Sequence, residues 1–147
     1  MTEIIRIKKK ELLKVVAIHD IGSKDAVREA VRVLQKTGKE AIAVRDADVG
    51  AASQIELYSF PGTEPPEKEV FKNPEVKALL KSKYDLDVDW TLQKNNITDH
   101  HKFAYCLAKE AETEESVIRT VAIERYISEI NCEFDDLITS IEKTINN

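Results

Sequence analysis

Hydrophobic positions in the first part of the chain form short runs with two different periods. Leu12 to His19, LLKVVAIH, is an almost continuous, β-branched apolar run, the pattern of a strand buried on both faces of a mostly parallel sheet. From Lys24 to Lys36 the spacing becomes helical. Ala26, Val27, Ala30, Val31, Val33 and Leu34 recur along one side, and Lys24, Arg28, Glu29 and Arg32 take the other. Ser23 is placed to cap this helix and Gly38 to stop it. Ala41 to Val44 is a second apolar run, so Lys14 to Val44 predicts a right-handed strand, helix, strand unit. Ile55 to Phe60 alternates as a third strand, and Pro61-Gly62 ends it.

The rest of the chain has helical spacing almost throughout. Glu67 to Phe71 and Asn73 to Lys83 read as two short helices, with Asn73 as cap and Pro74 at the first helical position. Tyr84 to Asn96 reads as an irregular acidic loop around Trp90, itself expected to plug the core. Thr98 to Glu110, Glu114 or Glu115 to Asn131, and Phe134 to Ile145 complete the helical pattern. The expected fold class is therefore α/β: a mostly parallel sheet flanked by helices over residues 1–96, with a helical extension over 97–147 packed on it.

Composition narrows the classes. The 147 residues suit one ordinary domain, and 42% hydrophobic with 33% charged residues excludes a disordered chain. No apolar run approaches the roughly 20 residues of a membrane span. The start, MTEIIRIKKKELLK, lacks the apolar core and cleavage site of a secretory signal, and a soluble, cytoplasmic protein is expected. Cys106 and Cys132 are too far apart for a CxxC site and read as buried thiols. The net charge of −5 opposes strong non-specific adhesion to nucleic acid, although Arg6, Lys8, Lys9, Lys10 and Lys14 form a local basic cluster.

Candidate chemistry follows from the expected sheet. Ligands of parallel α/β sheets bind beyond the carboxyl ends of the strands, where this reading collects Asp20, Asp25, Asp46 and Asp48. In Asp46-Ala47-Asp48 the strand period of two points both carboxylates the same way, which suits Mg²⁺ or Mn²⁺. A solvated turn after the strand accounts for the same residues without a metal.

The segments VVAIHDIGSKDAV and AIAVRDADVG resemble the two signatures of Toprim (topoisomerase-primase) domains, Glu-Gly-x-x-Asp and Asp-x-Asp. The likeness covers Lys14 to Gly50. It implies a Toprim-like, Rossmann-like fold in which Asp25, Asp46 and Asp48 hold Mg²⁺ or Mn²⁺. The family's glutamate position is Ile21 here, and Asp20 stands one residue early, able to replace it only through a bulge. Weak or absent cleavage is therefore expected of the chain alone, with Ile21→Glu raising it.

Further on, YSFPGTEPPEKEVF and ITDHHKFAYCLAKE resemble the segments that follow the Toprim core in overcoming-lysogenization-defect (OLD) nucleases. This implies metal-dependent phosphodiester cleavage of nucleic acid, DNA before RNA, with Asp20 and Glu67 as catalytic acids. No P-loop occurs, so an ATPase partner would sit on another chain; self-assembly into a homo-oligomer is also expected. The bland readings are a first-turn acid at Glu67, packing or capping at His100-His101, and a solvated loop lysine at Lys94. A competing function is a degenerate Toprim-like module that has lost its glutamate and serves in assembly or binding. A receiver-like domain with Asp46 as phosphoacceptor is disfavoured by the lack of a later Lys-Pro pair.

Overall fold

A computed structural model of the chain describes residues 1–22, 24–46 and 57–146. The chain order is α1 (Thr2–Lys9), a 3₁₀ segment (Lys10–Lys14), α2 (Lys24–Lys36), β1 (Ala43–Arg45) and β2 (Leu57–Ser59), then helices alone. These are α3 (Pro66–Lys72), α4 (Pro74–Tyr84), α5 (Val88–Lys94), a 3₁₀ turn (His100–Lys102), α6 (Phe103–Glu110), α7 (Glu115–Glu129) and α8 (Asn131–Ile145). The contacts divide the chain into two compact units, Met1–Thr63 with Cys132–Asn147, and Glu64–Asn131.

This corrects the expected fold class. Among the described residues 68% are helical and the only strands are two short parallel ones, which is not a mostly parallel, Rossmann-like sheet flanked by helices. The correction centres on Leu12 to His19. The Leu12 carbonyl accepts from the Val15 and Val16 amides, both at 3.0 Å, so this backbone closes a helical turn instead of joining a ladder. Val15 is 65% exposed; two three-residue strands offer no second layer to bury such a run on both faces. Ile21, on the irregular stretch that follows, is exposed too and stands at no strand end. What survives of the expected unit is β1 beside β2 in parallel, with Ala43 opposite Leu57 and Arg45 opposite Ser59. The start of the expected third strand lies outside the described residues.

In the first unit, Ile4 and Ile5 of α1 and Leu12 are buried, as are Phe134, Leu137, Ile138 and Ile141 of α8, which recur at helical spacing. Lys8 pairs with Asp135 at 2.9 Å and Lys9 with Glu142, both of α8. Helix α2 runs as the sequence predicts and rests on β1, burying Val31.

The second unit holds the denser core. Helix α7 packs on α4 and α6 and buries Ile118 and Ala122 completely. Val76 and Leu80 of α4 and Leu107 of α6 are likewise fully buried. Asn73 caps α4 as expected, its side chain accepting from the Glu75 and Val76 amides at 2.9 and 3.1 Å. The stretch expected to be an irregular loop contains α5 instead, capped by Asp87, which accepts from the Trp90 amide at 3.0 Å. Trp90 does not plug the core: it is 60% exposed, and Leu86, Val88 and Thr91 are buried around it in sequence. No helix among the described residues is long and apolar enough to cross a membrane.

Four helices end alike. A residue in the left-handed region follows the helix, and the next amide reaches back five residues, or six at the end of α4. Gly38 does this for α2 (φ +74°; Lys39 to Leu34, 3.0 Å), Asp85 for α4 (φ +51°; Leu86 to Leu80, 3.4 Å) and Asn96 for α5 (φ +53°; Ile97 to Leu92, 2.9 Å). Glu112 does it for α6 (φ +48°; Thr113 to Ala108, 3.0 Å). Glutamate has no local compensation for a positive φ, which costs an L-residue roughly 1 to 2 kcal/mol. Glu112→Gly is expected to raise stability by about 1 kcal/mol in urea unfolding. Unchanged or lowered stability would contradict the strain assigned to that position.

Candidate metal centre

The two phenylalanines that bring the candidate site together are themselves core residues. Phe71 of α3 and Phe103 of α6 are 3% and 7% exposed and meet edge to face, with centroids 6.5 Å apart and planes at 73°. Such pairing adds about 0.5 to 1.5 kcal/mol beyond burial and fixes how the two helices cross. Glu67 stands one turn before Phe71, and His100 and His101 immediately precede α6. Locking the phenylalanines therefore carries the three polar side chains to one place.

Local chemistry sets each ligand. Pro65 and Pro66 fix the start of α3, with Pro66 at the first helical position, so Glu67 projects from the first turn. The loop before it is held by Glu69, whose carboxylate accepts from the Glu64 amide at 2.8 Å, and by the Glu64–Lys72 ion pair at 2.5 Å. The hydrogen bond from Lys72 holds the Glu64 carboxyl below its usual range. On the other segment, Asp99 caps the 3₁₀ turn by accepting from the His101 amide at 3.1 Å. The His100 and His101 rings lie 4.0 Å apart at 39°.

One ligand atom each of Glu67, His100 and His101 lies within 4.8 Å of the others. Glu67 Oε1 and His101 Nδ1 are 3.8 Å apart. Glu67 and His100 are half-buried and His101 is exposed. A carboxylate with two imidazoles on one rim is a donor set for Mn²⁺, Zn²⁺ or Fe²⁺ before Mg²⁺, which prefers oxygen alone. Three protein ligands also leave coordination positions open to water or substrate.

No protein-family model, curated protein or solved structure matches the chain.

The other expected site residues belong to the first unit. Asp20 is exposed and accepts from the Gly22 amide at 3.0 Å, which makes it a turn residue. Asp46 directly follows β1 and is exposed. Asp25 lies in α2, its side chain outside the described residues, and Asp48 lies outside them altogether. Of the expected acids, only Glu67 stands in the described cluster, and its companions are the two histidines for which packing or capping is the commoner role. Lys94 is at the end of α5 and pairs with Glu110 at 3.0 Å. Cys106 is buried beside these elements; burial and then the Glu110 carboxylate push its thiol up, which leaves it protonated and a poor nucleophile.

Proposed function

We propose that the chain is a metal-dependent phosphodiesterase acting on nucleic acid, DNA before RNA, with Glu67, His100 and His101 as its metal ligands. The observation that supports the reading is the meeting of these three donors within 4.8 Å. The two segments that supply them are the Pro-Glu and Asp-His-His segments that resemble those of OLD nucleases. A bound divalent ion there supplies Lewis-acid polarisation of a phosphoryl oxygen and a more acidic water.

The chain's own groups have narrower tasks. Glu67 and the histidines fix the position of the ion, Asp99 sets where His101 begins its turn, and Lys102 offers an exposed ammonium next to the ligands. Lys102 stands 3.7 Å from Asp99, close enough to be oriented and loose enough to turn toward a phosphate.

Incubation of the full chain with Mn²⁺ and plasmid or single-stranded DNA is expected to give slow cleavage. His100→Ala with His101→Ala is expected to lower it by about a hundredfold or more. Because a metal competes with protons for its ligands, cleavage and Mn²⁺ affinity are both expected to fall in acid. Cleavage that survives the double substitution would end the assignment.

A second reading, the assembly module, is favoured by the exposed Val15, Ile18, Ile21, Val33 and Leu34 of the first unit. It predicts a chain that self-associates in sedimentation and cuts nothing.

A further inference from the structure

The face of α6 that begins at the candidate metal centre stays in solvent. Phe103, Ala104, Cys106, Leu107 and Ala108 are buried, whereas His101, Lys102, Tyr105 and Lys109 are exposed. Tyr105 and Lys109 are four residues apart, so they share one face of α6 about 6 Å apart, and His101 lies in the 3₁₀ turn that leads into that helix. Tyr105 is 59% exposed on a helix that otherwise buries its apolar residues. In sequence it stands between two exposed lysines, Lys102 and Lys109.

We propose that this face is a ridge for single-stranded nucleic acid, with Tyr105 stacking one base beside the metal centre and Lys109 meeting a backbone phosphate. The proposal rests on the phosphodiesterase reading and specifies its substrate as single-stranded. Stacking on an isolated aromatic ring requires a base whose face is free, which a duplex does not offer. At a net −5 the protein has no broad cationic footprint, so binding draws on stacking and a few phosphate contacts and varies weakly with salt.

The test is anisotropy of a fluorescein-labelled oligothymidine with the full chain in EDTA, alongside Mn²⁺ calorimetry on the same proteins. Tyr105→Ala is expected to weaken oligothymidine binding on the order of tenfold, and Tyr105→Phe to keep it, because stacking needs the ring and not the hydroxyl. Lys109→Ala is expected to flatten the log–log salt slope by about 0.7. All three variants are expected to bind Mn²⁺ as the wild type does. The ridge is overturned if Tyr105→Ala binds like wild type, if Tyr105→Phe is as damaging as alanine, if duplex competes equally, or if the wild type binds no oligothymidine. Tyr105-dependent binding without any Mn²⁺ binding would keep the ridge and remove the metal centre.

Discussion

Replacing His100 and His101 together by alanine is expected to abolish high-affinity Mn²⁺ or Zn²⁺ binding in calorimetry. Even outer-sphere partners of metal ligands are worth about 10- to 100-fold in affinity, so losing two of three direct donors costs more than the upper figure. Glu67→Gln keeps the shape of the side chain but removes the charge and is expected to weaken binding by about tenfold or more. His101 is exposed and His100 only half-buried, so these changes leave the core intact. Asp46→Ala with Asp48→Ala is the informative comparison, because the Asp-x-Asp pair is the other metal site that the sequence suggests. A metal isotherm unchanged by the aspartate pair and lost with the histidines supports the Glu67 cluster. The reverse result would move the metal to the first unit.

What the sequence made legible was chemistry that acts over one turn of chain. Asn73-Pro74 and Gly38 mark helix ends because a cap and a left-handed stop are local hydrogen-bonding problems. The same device at Glu112 carries no such mark, since glutamate is not favoured at positive φ. Helix α5 is less legible because it spans only Val88–Lys94 and exposes its tryptophan, leaving too few apolar positions to show a period. The run at Leu12 to His19 misleads for a different reason: β-branched composition fits a buried strand, but whether layers exist to cover it is a property of the whole chain. The metal cluster shares that long-range character. Glu67 and Asp99-His100-His101 are each visible in the sequence, and their meeting depends on Phe71 finding Phe103, a contact between distant segments. The available hint is positional, since each donor group stands within about one turn of a phenylalanine.

The site stands at the start of α6, and Leu107 is where the core that this helix buries is most directly tested. Leu107 is 0% exposed in α6, the helix that extends from the His100–Lys102 turn and packs on α7. Truncating such a leucine to alanine removes its transfer free energy and leaves a cavity, together costing roughly 2 to 5 kcal/mol. A domain of ordinary stability has about 5 to 15 kcal/mol in total, so Leu107→Ala is expected to lower the melting temperature by roughly 10 °C. Metal binding to the folded state opposes this: at a hundred times its dissociation constant an ion adds about 2.7 kcal/mol. Mn²⁺ should therefore raise the melting temperature of Leu107→Ala about as much as that of the wild type, because the substitution removes none of Glu67, His100 and His101. The same ion should do nothing for Leu107→Ala combined with His101→Ala. A melting temperature that barely moves on Leu107→Ala would show that α6 does not carry the core assigned to it, and Mn²⁺ stabilisation that persists without His101 would show the ion binding elsewhere.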